Sequence, residues 1–315
     1  MKTRIVQIGM CTADLPRSIR RYCEAFGFRD AGGRMMWGAR SARIQQIGDD
    51  SNAALWWLVG AQAFFNLEFF HHTLPRQRPL PVDWLPNTLG WVRWGIAVSD
   101  FDAALARLEN FAIPTSQLMR IDGLRRTCFR DPDIGVVVEV MEDVAAIPGS
   151  SASGGPVALP RVAYATLSVP DLAAARSFYV EALEMAPVST TLHTLDMEAL
   201  WGLAGAKREV LVLDGDGVFL ELVQYIDPPG RRRLDPRLSD QGMMNIAVGY
   251  RERPAIDRAI ARAVAGGCTV NAPLADTEPT ATYVTDPLGN SLEMIFIPSR
   301  LDADYGLAPR PPAYR

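Results

Sequence analysis

The strongest constraint on the fold is a fourfold internal recurrence. An apolar strand carrying one glutamate closes each of four segments, at Glu68, Glu139, Glu221 and Glu293, with 71 to 82 residues from one to the next. The first and third copies are 153 residues apart and the second and fourth are 154 apart, so the chain repeats as two halves and again within each half. Self-similarity at a fixed period marks duplicated supersecondary units. A chain of this length is then expected to form repeated small modules rather than one large core.

Each copy opens with a short apolar strand, a turn and an amphipathic helix. In module one, Ile5–Met10 is the opening strand, Asp14 the expected N-cap and Pro16 a first-turn residue. Leu15, Ile19, Tyr22 and Phe26 recur at helical spacing up to a stop at Gly27. Module two opens at Trp91–Val98 with Asp100, module three at Val162–Val169 with Asp171, and module four at Met243–Val248 with a helix through Ile256 and Ile260. The closing strands are expected at 64–70, 136–141, 218–223 and 291–297. Small residues and breakers dominate 147–160, the composition of a linker. The expected organisation is an N-terminal domain over 1–146 (modules 1–75 and 90–146), the linker, a C-terminal domain over 161–300 (modules 161–227 and 241–300) and a tail over 301–315.

A formal net charge of −4 argues against nucleic acid or an anionic membrane as partner, and no apolar run is long enough to cross a membrane. The N-terminus lacks the apolar core of a signal peptide. Cys11, Cys23, Cys128 and Cys268 are dispersed, form no CxxC pair and read as free thiols, so the expected location is cytoplasmic.

The openings IVQIGMCTADLPRSIRRYCEAFGF (5–28), RWGIAVSDFDAALARL (93–108) and ATLSVPDLAAARSFYVEALEM (165–185) carry a family resemblance. So do the closings RDPDIGVVVEVME (130–142) and TDPLGNSLEMIFIP (285–298). With these residues the chain resembles the vicinal oxygen chelate superfamily of glyoxalases, bleomycin-resistance proteins and extradiol dioxygenases. The resemblance implies an α+β fold of four βαβββ modules, forming two half-open cup-like sheets with helices outside. It also implies a site inside each cup, built from one opening-strand residue and the closing glutamate of each module.

The opening-strand positions are Gln7, Arg93 and Tyr164; aligning Ile246–Val248 with Ile96–Val98 adds Met243. These depart from the family's histidines. Arginine cannot serve as a ligand, and methionine does not suit an oxygen-activating iron site, which argues against ring-cleaving dioxygenase chemistry. If module one pairs with module four, Gln7, Glu68 and Glu293 could hold one divalent metal ion weakly. The other reading is polar contact across each cup floor, pairing Gln7 with Glu68, Arg93 with Glu139, and Tyr164 with Glu221.

The expected function is proton transfer of isomerase, epimerase or lyase type on an apolar, cyclic carbonyl or carboxylate small molecule. Glu293 and Glu68 are the catalytic candidates. Arg93, Glu139, Tyr164, Glu221, Trp94 and His193 are the substrate-binding candidates, with His193 also a candidate base. The alternative is a metal-free binding or sequestration protein of the bleomycin-resistance type, favoured by the missing histidines and the tryptophan-rich first half. His71 and His72 fall on opposite faces of one strand and suit loop packing better than shared ligation. The Pro- and Arg-rich connectors 74–90 and 227–242 read either as anion clamps or as solvated links. The resemblance is also compatible with a homodimer.

Overall fold

The computed structural model describes residues 3–143, 159–232 and 236–309. The 147–160 linker, up to residue 158, and the end of the tail from 310 lie outside these residues. Module one comprises β1 (Ile5–Cys11), α1 (Leu15–Arg21), β2 (Arg29–Trp37), α2 (Ala39–Gln45), β3 (Asn52–Val59) and β4 (Asn66–Leu74). Module two comprises β5 (Gly90–Val98), α3 (Phe101–Asn110), β6 (Met119–Ile121), β7 (Leu124–Arg130) and β8 (Val137–Glu142). Module three comprises β9 (Arg161–Ser168), α4 (Leu172–Arg176), β10 (Ala186–Val188), β11 (Lys207–Asp214) and β12 (Phe219–Asp227). Module four comprises β13 (Gly242–Tyr250), α5 (Arg253–Ala265), β14 (Thr269–Val270), β15 (Thr280–Thr285) and β16 (Ser291–Phe296).

The expected caps form. Asp14, Asp100 and Asp171 each accept a hydrogen bond from the backbone N–H three residues on, at 2.9–3.0 Å, satisfying a donor that the first helical turn leaves free. In module four Glu252 stands at this place without a side-chain cap, and Pro254 supplies the preset φ.

The sheets do not follow the two halves of the sequence. One sheet runs β14-β15-β16-β13-β1-β4-β3-β2 and joins module one to module four; the other runs β10-β11-β12-β9-β5-β8-β7-β6 and joins module three to module two. The seams are the antiparallel pairs β1–β13 and β5–β9. Each sequence half therefore gives one module to each cup, so domains of 1–146 and 161–300 are not the units that close a sheet.

Within each half the two modules, which belong to different sheets, meet on the helix side. Tyr22 and Arg21 of module one bond Asp131 in the Asp-Pro turn of module two, at 2.9–3.0 Å. Tyr179 of module three bonds Asp286 in the matching turn of module four at 3.0 Å. One continuous apolar core takes residues from both sheets and from the helices, with the Tyr22 ring stacked on Trp94 and Phe26 on Phe129. Strand alternation leaves the opposite face of each sheet as the cup interior.

Candidate functional site

The cup of modules one and four is open. Register places Gly9 beside Glu68 and Ala247 beside Glu293. The residue two before each of those positions is Gln7 on β1 and Asn245 on β13. The fourth opening position is therefore Asn245, not Met243. Gly95 is the residue beside Glu139, so Ile96 corresponds to Val248 and not to Ile246, and Met243 packs in the large core with Ile8 and Ile246.

Gln7, Glu68 and Glu293 line one cavity of about 250 Å³. A second, of about 230 Å³, shares Arg34, Glu68, Thr280 and Glu293 with the first, so the two are lobes of one cup. Glu68 accepts the Trp57 indole N–H at 2.9 Å. Glu293 Oε2 is buried with no hydrogen-bond partner. Burial raises the Glu68 carboxyl to about 7, against the opposing pull of the Trp57 hydrogen bond and the Arg34 charge. Burial, and then the neighbouring Glu68, holds Glu293 well above the carboxylate range, with Arg34 opposing. The two carboxyls oppose each other's ionisation, because both charges would stand together in one buried place.

Arg34 lies over the rings of Trp57 and Tyr305, its guanidinium carbon 5.4 and 4.8 Å from their centroids. Tyr305 belongs to the segment expected as a tail. That segment is instead part of the cup: Asn66 donates to the Tyr305 and Gly306 carbonyls at 3.3 and 3.0 Å, Arg251 pairs with Asp302, and Tyr305 and Leu307 line the first lobe.

The cup of modules two and three is closed by its own side chains. Arg93, Glu139, Tyr164 and Glu221 are fully buried and His193 is 3% exposed. Arg93 and Tyr164 pair across the seam rather than with the glutamate of their own module. Arg93 bonds Glu221 at 2.7 Å, Tyr164 donates to Glu139 at 2.5 Å, and Thr166 donates to Glu221 at 2.8 Å. His193 bridges the two glutamates, 3.0 Å from Glu139 and 2.7 Å from Glu221. Burial alone would lower its pKa, but Glu221 and Glu139 outweigh burial and raise it. Both ring nitrogens of His193 are engaged by carboxylates, so it presents no free lone pair to a substrate. The same contacts hold Glu139 below the ordinary range and Glu221 well below it, although burial pushes both the other way. Arg93 also bonds Tyr225 and lies 4.3 Å from the Trp201 ring centroid, and Glu198 accepts from Tyr225 and Trp201.

The five expected substrate contacts Arg93, Glu139, Tyr164, Glu221 and His193 do converge, but on one another. Trp94 points the other way, into the helix-side core, fully buried. His72 is buried on Phe70, with its pKa lowered to about 4 chiefly by burial, and His71 meets the Thr12 carbonyl. The connectors use their arginines on each other: Arg78 bonds Asp240 at 2.7–2.8 Å and Arg231 bonds Asp83 at 2.9 Å.

Among the described residues no cluster of three His, Cys, Asp or Glu side chains could hold a metal ion. Two carboxylates with the Gln7 amide nevertheless form an all-oxygen donor set with one orphaned oxygen. That set suits a hard divalent cation that keeps several waters, rather than one preferring nitrogen or sulfur.

The fold and these cups define a class: paired βαβββ modules whose sheets curl into concave cups. Residues 161–294 match the family model described as Glyoxalase/Bleomycin resistance protein/Dioxygenase superfamily. Glyoxalase I from Zea mays shares the fold with a TM-score of 0.61 at 16% identity, covering 94% of this chain and 92% of that one. A dioxygenase candidate from Bacillus subtilis gives 0.63 at 14% identity, covering 96% and 88%. No curated protein sequence matches the chain. The sequence match to this superfamily covers residues 161–294, and the likeness in fold covers nearly the whole chain.

Sequence reasoning missed Arg34, Trp57, Asn245 and Tyr305. The usable signal was positional: Trp57 lies opposite Glu68 in the β3–β4 register, on the inward face set by strand alternation. Nothing local marks Tyr305.

Proposed function

We propose that the open cup of modules one and four is the working site and carries out proton transfer on a small carbonyl compound. The observation that carries this reading is the pair Glu68 and Glu293, which meets in an open cavity with one carboxylate oxygen buried and unpartnered. Near neutral pH one carboxylate takes a proton from the carbon beside the carbonyl, and the partner carboxyl, still protonated, donates to the oxygen where charge develops. The Gln7 amide N–H is a second donor on the same wall. Trp57 fixes Glu68, and the apolar wall of Val6, Ile295 and Ile297 keeps the pair dry. Gln7, Glu68 and Glu293 would also be the residues to hold a divalent cation, which when bound supplies polarisation of the carbonyl oxygen.

The test is exchange of acidic C–H hydrogens in D2O, followed by NMR over a panel of 2-oxo acids, 3-oxo acids, aldehydes and cyclic ketones. At least one compound should exchange with wild-type protein, and Glu68→Gln or Glu293→Gln should slow it by about 10²–10⁴-fold. Equal exchange in both variants would sink the assignment. Saturable binding of panel members without any exchange would replace catalysis by sequestration, a reading supported by the aromatic stack of Trp57, Arg34 and Tyr305 on the cavity.

A further inference from the structure

The two lobes of the open cup differ in chemistry. The first is walled by Val6, Trp57, Ile295, Ile297 and Leu307. The second adds Arg40, Ser41, Gln45 and Tyr283, with Ile44, Leu55 and Phe70 beside them, and Arg34 lines both lobes. Glu68 and Glu293 line both, at the seam.

The second lobe is rich in donors that the protein leaves unused. Ser41 and Gln45 stand four apart on α2, which puts them on one helix face, at 7% and 2% exposure. The Ser41 hydroxyl has no hydrogen-bond partner. The Gln45 amide makes no bond of normal geometry with either atom, although it lies close to the Tyr283 hydroxyl. Native proteins rarely leave buried polar atoms in this state unless something else completes them. The guanidinium groups of Arg34 and Arg40 have no carboxylate partner among the described residues. This contrasts with Arg21, Arg93 and Arg208, which are all paired.

We infer that the second lobe binds a carboxylate and that the substrate is a monocarboxylic acid with an apolar substituent. The carboxylate sits against Arg34, Arg40 and Ser41, whose fork and hydroxyl match a planar two-oxygen anion. The apolar substituent fills the first lobe. The carbon between them then lies at the seam, facing the glutamate pair. The anion is kept in the far part of the second lobe because the seam itself carries negative charge. This inference rests on the open cup being the working site, but concerns different residues from those that would move the proton.

The test compares 4-phenylbutanoate with the isosteric 4-phenylbutanamide by calorimetry and by tryptophan fluorescence. Wild-type protein should bind the carboxylate about 10–100-fold more tightly than the amide, the scale of a charge-assisted contact. Arg34→Gln together with Arg40→Gln should bring that ratio to about one. Both arginines are exposed, so the double variant should retain the wild-type circular dichroism. Ser41→Ala should lower the ratio by a smaller factor. The inference is overturned if the amide binds as well as the acid, if the preference survives in the double variant, or if neither probe binds at about 20 mM, where even a contact this weak is measurable. None of these outcomes alters C–H exchange in Glu68→Gln and Glu293→Gln, so failure here and failure of the catalytic reading remain separable.

Discussion

The two cups use the same strand positions and reach opposite ends. In the open cup the opening-strand residues are Gln7 and Asn245, neutral amides that cannot compensate a carboxylate charge. In the closed cup they are Arg93 and Tyr164, and the connector between β10 and β11 adds His193 and Trp201. The closed cup therefore ionises its glutamates fully and satisfies them. The open cup keeps Glu68 and Glu293 desolvated and short of partners. Burying a charge inside a cup does not make a site; leaving it incompletely paired beside a cavity does. The module-three connector fills its own cup, while the matching part of module one folds into α2, lies at the rim and leaves the second lobe open.

The sharpest way to break this comparison is to unpair the closed cup. Glu221→Gln removes the negative charge and one of the two oxygens that Arg93, His193 and Thr166 bond, and sets an amide NH2 against these donors beside the buried guanidinium. Urea denaturation should show a loss of about 3–5 kcal/mol, with 4-phenylbutanoate binding in the open cup retained by the folded protein. Loss of that binding without loss of stability would reverse the roles given to the two cups.

The pH response should separate them next. In metal-free protein, Glu68 has a folded pKa raised above its unfolded value, so the folded state binds more protons. Its contribution is therefore most favourable below the unfolded value and declines as pH rises from about 4.5 through about 7. The Glu68→Gln variant should recover about 2–3 kcal/mol relative to wild type between pH 5 and 8, read from urea midpoints. Glu221 has the opposite sign: its stabilisation is present above the unfolded carboxylate value and is lost as pH falls through its depressed folded value. A wild-type profile flat from pH 5 to 8 and unchanged in Glu68→Gln would refute the strained state of the open cup.

The fold was legible because the signals that specify it are local and repeated. Asp14, Asp100 and Asp171 cap as expected, and the four closing glutamates occupy equivalent register positions. Pairing across the halves was not legible, since Arg93 meets Glu221 rather than Glu139 only because β5 pairs with β9. The same limit hid the role of His193, a candidate from the sequence whose pairing depends on two glutamates 28 and 54 residues away. Asn245 was missed because the shared Ile-Ala-Val string matches β13 to β5 two residues out of step with their closing glutamates, and only the strand pairing reveals that. Trp94 was misplaced because apolar residues fill both faces of a strand covered on each side, and alternation cannot then assign the face.

The smallest expected effect tests whether the C-terminal segment belongs to the open cup. Gly306 has φ +67°, a left-handed conformation, and an added Cβ would lie 2.3–2.4 Å from atoms of the Trp57 side chain. Trp57 cannot yield easily, because its indole N–H is bonded to Glu68. Gly306→Ala should therefore displace the segment instead, costing about 1 kcal/mol of stability and removing Tyr305 from its place over Arg34. Binding of 4-phenylbutanoate should weaken about 3–10-fold through loss of the exposed cation–π contact and the nearby apolar wall, while the closed cup, which does not touch this segment, keeps its pH response. Tyr305→Ala, which leaves the backbone free to stay, should reproduce the binding loss without the stability loss. If Gly306→Ala lowers stability and neither variant changes binding, the segment is a structural strap and Arg34 is held by Trp57 alone.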